Sequence, residues 1–259
     1  MHLPSLINQM LPQQLRPADF TAARYVRWSK YVVQAGPFRG LRYIDRAFCS
    51  SLAPKIAGVY EKELQSRLAQ WAATQPDVLI DIGAAEGYYA VGAAYAGWSK
   101  KVIAYEIDPQ AREAMAELMA RNQLGPEQIE LREACTPSDL DALLASYRRP
   151  VVIMDAEGYE SLLLDPLRVP NLRHCPVLVE YHDFLVAGLS AELARRMSPT
   201  HTVEVITPAP RTGDDLRCGD AFISALPAGI RRRAIDERRP FHGNGWLWLT
   251  PRIPRSSST

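Results

Sequence analysis

Two shortages in this sequence narrow its function before any motif is considered. Its 259 residues include only four cysteines, and no two of them form a Cys-x-x-Cys pair. A disulfide framework and a cysteine zinc site are therefore not expected, and this composition favours a reducing, cytoplasmic location. No apolar run is long enough to span a membrane, and the N-terminus lacks the apolar core of a signal peptide.

The net charge is also low, at +1, but the charged residues are unevenly distributed. Residues 1–60 hold eight Lys and Arg against two Asp. This local excess indicates contact with something anionic, such as a phosphorylated substrate, RNA or a membrane surface. A solvated helical face explains the same pattern without any partner. A chain of this length can bury a large core, as one α/β domain with an added segment or as two small domains.

The most informative stretch covers residues 77–108. Residues 78–80 are uniformly apolar, as expected of a strand that is buried on both faces of a parallel sheet. A turn with glycines at 83 and 87 follows, then a helix over 88–97, then a second apolar strand over 102–105 that ends on Glu106. Strand, glycine turn, helix, strand and terminal acid together predict a nucleotide-type site, in which the acid accepts hydrogen bonds from ribose hydroxyls.

The turn favours one ligand over a dinucleotide. A diphosphate site usually reads Gly-x-Gly-x-x-Gly, whereas this turn has Ala85 in place of the middle glycine and carries carboxylates at Asp81 and Glu86. S-adenosylmethionine (SAM) suits such a turn, because it has a ribose, an ammonium and a sulfonium but no phosphate. The predicted cofactor-binding residues are Asp81, Gly83, Ala84, Ala85, Glu86, Gly87, Tyr88, Glu106, Ile107, Asp108 and Asp155.

The rest of the chain continues the alternation of strands and helices. Asp108 is predicted to cap a helix that has Pro109 at its first position. The predicted helices cover 20–35, 41–52, 60–73, 109–123, 138–147, 189–197 and 234–239, and the later strands cover 128–132, 151–154, 177–179, 202–206 and 246–249. Residues 1–17 and 255–259 are expected to be frayed. The predicted domains are a basic helical extension over 1–75 and a catalytic domain over 76–259.

Acids and a histidine follow two of these strands. The fourth strand ends in Asp155-Ala-Glu157, and the fifth is followed by Glu180-Tyr-His182-Asp183. Ligands of open parallel sheets bind at the carboxyl ends of the strands. His182 is the predicted general base for a hydroxyl, with Glu180 or Asp183 orienting it. Asp155 and Glu157 are placed to orient either the acceptor or the methionine ammonium of the cofactor.

The side chains at these two strand ends allow a second interpretation, as metal ligands. Asp155, Glu157, Glu180 and His182 offer ligands for a divalent cation, Mg²⁺ or Mn²⁺, although the sequence does not favour a metal.

Taken together, the runs DIGAAEGYY, YEIDP, MDAEGYESLLLDP and VLVEYHD resemble the motif series of FkbM-type methyltransferases, a class I O-methyltransferase family. The likeness covers residues 78–183. It implies a Rossmann-like, mostly parallel seven-stranded sheet with a reversed terminal hairpin. It also implies that Glu133 lies near the adenine amine and that Tyr60 and Glu61, which start a helix before the first strand, contact the cofactor or substrate. The family often has asparagine in the turn where this chain has Ala85-Glu86, so the acceptor stays open.

The predicted function is SAM-dependent methylation of a hydroxyl on a small molecule or glycan precursor, with no nucleic acid as the favoured acceptor. Two alternatives remain. One is a dinucleotide-dependent oxidoreductase, which the altered turn and the lack of a catalytic Tyr-x-x-x-Lys pair disfavour. The other is a non-catalytic Rossmann-like protein that contacts RNA or a membrane through the basic segment.

Overall fold

The computed structural model describes residues 16–237 and 243–253. The chain divides into two compact units, one made of Met1–Lys62 with Ala209–Arg238 and the other of Glu63–Pro208 with Arg239–Thr259. The division therefore lies at 62/63, whereas the sequence suggested 75/76. A second difference is that residues 209–238 belong with the N-terminal residues.

The helices of the described residues are α1 (Pro17–Trp28), α2 (Leu52–Ala57), α3 (Gln65–Thr74), α4 (Tyr88–Tyr95), α5 (Pro109–Arg121), α6 (Pro137–Ser146), α7 (Glu160–Leu163), α8 (Leu189–Met197), α9 (Ala221–Ala225) and α10 (Ala228–Ala234). The strands are β1 (Val78–Ile82), β2 (Lys101–Tyr105), β3 (Ile129–Arg132), β4 (Pro150–Met154), β5 (Val177–His182), β6 (His201–Ile206) and β7 (Asn244–Pro251). Short 3₁₀ turns cover Lys62–Leu64, Pro170–His174 and Gly213–Asp215.

The strands form one sheet in the order β3-β2-β1-β4-β5-β7-β6. Strands β1 to β5 pair in parallel, and β7 runs antiparallel to both β5 and β6. Every residue of β1 and β4 is buried, as expected for central strands that are covered on both faces. This topology confirms the predicted Rossmann-like class I methyltransferase fold, including its reversed terminal hairpin.

Two helix starts follow directly from local chemistry. The Asp108 side chain accepts a hydrogen bond from the backbone N–H of Gln110 at 2.8 Å, and Pro109 occupies the first position of α5, as predicted. At α6, Thr136 and Asp139 form a reciprocal capping box. These caps begin the helices that follow β2 and β3.

Some N-terminal predictions are wrong. The first helix ends at Trp28 and does not continue to residue 35, because Lys30 and Tyr31 have left-handed φ values of 52° and 60°. Residues 41–51 are not helical, and Arg42 instead forms an antiparallel bridge with Val32. The helix predicted from Tyr60 begins as α3 at Gln65.

The last predicted helix is also misplaced, since α10 ends at Ala234. The segments 1–15, 238–242 and 254–259, which include the predicted arm, the end of that helix and the tail, lie outside the described residues.

Charge pairs connect residues 209–238 with the N-terminal residues of the same unit. Arg24 forms a salt bridge with Asp220 at 2.8 Å and stacks over the Phe222 ring. Lys62 pairs with Asp215 at 2.7 Å. Acids after β6 thus neutralise part of the basic N-terminal segment. Among the described residues no helix is long and apolar enough to cross a membrane.

His201 is expected to make the protein less stable in mild acid. Its imidazole is fully buried between the Cys175 carbonyl and the Thr200 hydroxyl, and this burial lowers its pKa. The unfolded chain therefore binds a proton at a higher pH than the folded one, so the free energy of unfolding falls as pH drops below about 6.5.

Thermal unfolding midpoints measured from about pH 7.5 to about pH 5 test this expectation. His201→Gln should flatten the dependence on pH relative to the native protein. His174→Gln, which changes a histidine near the surface, serves as the control. Equal slopes for the native protein and His201→Gln would contradict the assignment.

Candidate active site

The sheet order brings four strand ends together. Strands β2, β1, β4 and β5 are neighbours and run in parallel, so the loops that follow them share one edge of the sheet. Most of the predicted site residues lie on these loops or at the strand ends that precede them. This is the edge at which open α/β sheets bind ligands.

The glycine turn after β1 leaves no room for a side chain at its first glycine. Gly83 has φ +81°, and a Cβ placed there would lie 1.7 Å from the backbone oxygen of Asp155. Gly87, with φ +93°, closes the turn and precedes α4. Ala85 adopts a left-handed φ of 48°, which is uncommon for a residue with a side chain. The turn therefore packs against the end of β4.

The Glu106 carboxylate is held by the backbone on both of its oxygens. Oε2 accepts a hydrogen bond from the Ala85 N–H at 2.7 Å, and Oε1 accepts one from the Asp108 N–H at 2.8 Å. A carboxylate has about four acceptor positions, so each oxygen can accept another hydrogen bond. Glu106 is thus fixed beside the turn with acceptor capacity left for a ligand.

The other predicted cofactor residues fall into two groups. Ile107 is 77% exposed at the edge of the sheet, and Glu133 is exposed and pairs with Arg112 at 3.3 Å. The residues of the second group are buried: Asp81, Ala84, Glu86 and Tyr88. Glu86 is fully buried, and the expected contact between its carboxylate and a cationic ligand stays a prediction.

Tyr60 and Glu61 belong to the first unit. The Lys55 ammonium lies 4.9 Å from the centre of the Tyr60 ring. Glu61 is buried, and its backbone N–H donates to Glu237 at 2.8 Å. Their contact with a cofactor stays a prediction.

The loop after β4 is shaped by a residue to which the sequence assigned no role. The carboxylate of Glu160, which is fully buried, accepts hydrogen bonds from the N–H groups of Ala156 at 2.9 Å and Gly158 at 2.8 Å. This clamp holds Glu157 in a left-handed conformation, with φ +49°. The signal in the sequence was the acid at the start of a helix, three residues after Glu157.

The structure brings the two predicted strand-end clusters together around His182. Its Nε2 atom lies 3.6 Å from Asp155 Oδ1 and 3.8 Å from both Glu157 Oε2 and Glu180 Oε1. The side chain of His182 is only 5% exposed. Asp183 does not orient it, because that carboxylate accepts hydrogen bonds from the N–H and hydroxyl of Ser190 at the start of α8.

The electrostatics of this cluster centre on Asp155. Burial raises the pKa of the Asp155 carboxyl group to about 6, and the charges of Glu157 and Glu160 act in the same direction. The His182 imidazole opposes that rise in pKa. A group of this kind can gain or lose a proton near neutral pH.

The cluster is bordered by an apolar rim that the sequence analysis did not predict. We use this name for four side chains that are 41–52% exposed: Tyr159, Phe184, Leu185 and Val186. The Phe184 ring meets the His182 ring edge to face, with 5.6 Å between centroids. A Cβ on Gly158 would lie 3.7 Å from the Val186 side chain, so the loops after β4 and β5 are in close proximity.

Comparisons with known proteins identify no family for this chain. No family model and no curated protein matches the chain. Similar solved structures include precorrin-6y C5,15-methyltransferase from Geobacter metallireducens, at TM-score 0.48 and 12% identity over 80% of this chain and 92% of that one. An rRNA methylase from Streptococcus thermophilus matches at TM-score 0.45 and 12% identity, over 73% and 96%.

The O-methyltransferase TomG from Streptomyces achromogenes, involved in tomaymycin synthesis and solved in complex with SAM, matches at TM-score 0.43 and 13% identity, over 78% and 87%.

Gly83→Ala is expected to destabilise the protein and disrupt the turn, because the new methyl group would overlap the Asp155 backbone. Gly97→Ala is the matched control, since Gly97 also has a positive φ of 67° but no atom within 4 Å of an added Cβ. The control should cost only the strain of the left-handed backbone, about 1–2 kcal/mol. Thermal unfolding compares the two, and equal losses would show that close packing at Gly83 is unimportant.

Proposed function

We propose that this protein is a SAM-dependent methyltransferase that methylates a hydroxyl group, with the FkbM-type O-methyltransferases as its family. The observation that carries the proposal is the Glu106 carboxylate, which the Ala85 and Asp108 N–H groups hold beside the glycine turn. A fixed carboxylate with free acceptor positions suits the two hydroxyls of a ribose. The turn offers no second glycine at 85 for a diphosphate.

The residues around Glu106 fit the rest of the cofactor. Ile107 extends its apolar side chain into solvent, directly after Glu106, and provides a surface for the flat face of an adenine. Arg112 donates hydrogen bonds to the carbonyl groups of Glu106 and Ile107 at 2.7 and 2.9 Å, which fixes this short segment. When bound, SAM supplies a methyl group activated by its positively charged sulfur.

The cluster around His182 supplies the remaining chemistry. Methylating a hydroxyl requires that its proton be removed as the oxygen forms a bond to the methyl carbon. Asp155, Glu157, Glu180 and His182 lie at the ends of β4 and β5, and the Asp155 backbone touches Gly83 of the turn. In this proposal the cluster positions the acceptor hydroxyl and removes its proton.

The apolar rim favours one class of acceptor. Exposed aromatic and aliphatic side chains bury surface when they pack against an apolar body, and burial of such surface is favourable by roughly 25 cal/mol per Å². We therefore propose an acceptor that combines a hydroxyl group with an apolar or aromatic body. An acceptor screen with radiolabelled SAM should compare hydroxyl compounds of similar size that differ in the polarity of that body.

The basic N-terminal segment remains the basis of the alternative, a protein that binds RNA or a membrane. Two of its cations are engaged within their own unit, since Arg24 pairs with Asp220 and Lys55 is 3% exposed beneath the Tyr60 ring. These two residues are therefore poor candidates for contact with an anionic partner.

Calorimetric titration with S-adenosylhomocysteine, run in parallel with NAD, tests the proposed function. The native protein should bind the first ligand and not the second. Glu106→Gln should weaken binding by about tenfold or more, because a hydrogen bond to a charged group contributes roughly 1.5–3 kcal/mol. Ile107→Ala should weaken it less, without affecting the fold, because that side chain is already exposed.

Glu117→Gln provides the control for Glu106→Gln, as Glu117 pairs with Arg121 on α5. Unfolding midpoints without ligand show whether each variant folds. Binding of NAD alone would reject the methyltransferase proposal, and an unchanged dissociation constant in Glu106→Gln would remove that residue from the site.

His182→Ala is expected to preserve affinity for S-adenosylhomocysteine and to slow methyl transfer to an acceptor found in the screen. The loss should be on the order of 10²–10⁴-fold, the usual contribution of a group that assists proton removal. Calorimetry and single-turnover rates separate the two effects. Full activity in the variant would exclude His182 from the reaction.

A further inference from the structure

We propose that Asp155, Glu157 and His182 form a binding site for a divalent transition-metal cation such as Mn²⁺ or Zn²⁺. One ligand atom from each of the three residues can be chosen so that all lie within 4.8 Å of one another. Two carboxylates and one imidazole from two adjacent strand ends thus point to a common centre.

The buried imidazole is the observation that points to a ligand. His182 is 95% buried at its side chain, yet within residues 16–237 and 243–253 its ring forms no hydrogen bond. Its Nε2 atom lies 3.6–3.8 Å from three carboxylate oxygens, which is beyond hydrogen-bond distance. The Oδ1 atom of Asp155 is buried and also has no hydrogen-bond partner among those residues. A cation bound between Nε2 and this oxygen would give both atoms a partner, whereas the buried Nδ1 atom, which also has no hydrogen bond among those residues, would remain on the side of Glu160.

The Glu160 carboxylate lies near the other ring nitrogen of His182 without forming a hydrogen bond to it. The other ring nitrogen, Nδ1, faces Oε1 of Glu160 at 3.9 Å, and two backbone N–H groups hold that carboxylate. Metal-binding histidines usually direct their second ring nitrogen toward a carboxylate or carbonyl, which orients the ring. Glu160 therefore positions the loop that carries Glu157, and it lies nearest the ring nitrogen that the ion would not use.

The donor set selects among cations. Mg²⁺ and Ca²⁺ prefer oxygen ligands alone, whereas imidazole favours first-row transition metals. Carboxylates are suitable for Mn²⁺ as well. Glu157 is 55% exposed at its side chain, so one side of the centre is open to solvent. Mn²⁺ and Zn²⁺ should therefore bind more tightly than Mg²⁺.

The role of the ion, unlike its binding, rests on the proposed function. An ion at this position would lower the pKa of an acceptor hydroxyl that approaches the open side, so that its proton passes to water. His182 would then act as a ligand through Nε2 and would not be the proton acceptor.

The test is a titration of chelator-treated full-length protein with Mn²⁺, followed by the loss of the electron paramagnetic resonance signal of free Mn²⁺. Zn²⁺ and Mg²⁺ compete in separate titrations. We expect one Mn²⁺ per chain, displaced by Zn²⁺ and much less readily by Mg²⁺. Glu157→Gln and His182→Gln should each weaken binding by roughly tenfold or more. Glu117→Gln and His174→Gln are the matched controls and should bind as the native protein does.

The proposal would be overturned if the protein bound neither Mn²⁺ nor Zn²⁺ at one site per chain. It would also be overturned if Glu157→Gln bound the metal with native affinity. Glu157 is half-exposed, so this change is not expected to disturb folding. Each sample is also titrated with S-adenosylhomocysteine. Binding of that ligand without any metal site rejects the metal proposal alone. Metal binding without affinity for that ligand rejects the proposed function alone.

Discussion

The close approach of two backbones, at Gly83 and Asp155, is the constraint on which the candidate site depends. Strands β1 and β4 are neighbours, so the turn after one meets the loop after the other. The absence of a side chain at Gly83 lets the turn lie against the carbonyl group of Asp155. This contact places the proposed cofactor turn beside the acids and histidine that would serve the acceptor. The two halves of the site are therefore joined through the paired strands β1 and β4.

The turn after β1 and the loop after β4 are stabilised in the same way. Each loop contains a non-glycine residue in a left-handed conformation, Ala85 in one and Glu157 in the other. The carboxylate of Glu106 in the first case, and that of Glu160 in the second, accepts hydrogen bonds from two backbone N–H groups and so stabilises the local backbone. Hydrogen bonds from N–H to a charged acceptor are stronger than neutral ones, which offsets the strain of the left-handed residue. Carboxylates thus position the backbone as well as offering ligand contacts.

Sequence patterns were reliable where local chemistry and burial agree. Uniformly apolar strands, the Asp108-Pro109 helix start and the order of acids at strand ends predicted the sheet and the residues of its carboxyl edge. They were unreliable for residues 29–51, where apolar side chains such as Leu41, Tyr43 and Ile44 are buried without forming a helix. Apolar spacing alone does not distinguish a helix from an irregular segment that packs its side chains inward.

The sequence by itself determined which residues reach the functional edge, because strands joined through helices, as β1 to β5 are, run parallel and deliver the loops that follow them to one side. Only the tertiary structure decided which of those residues act together. It buried Glu86, assigned Asp183 to a helix start, made Glu160 a clamp and left the His182 ring facing three carboxylates without a hydrogen bond. Such roles depend on distances between residues far apart in the chain, and no local pattern specifies them.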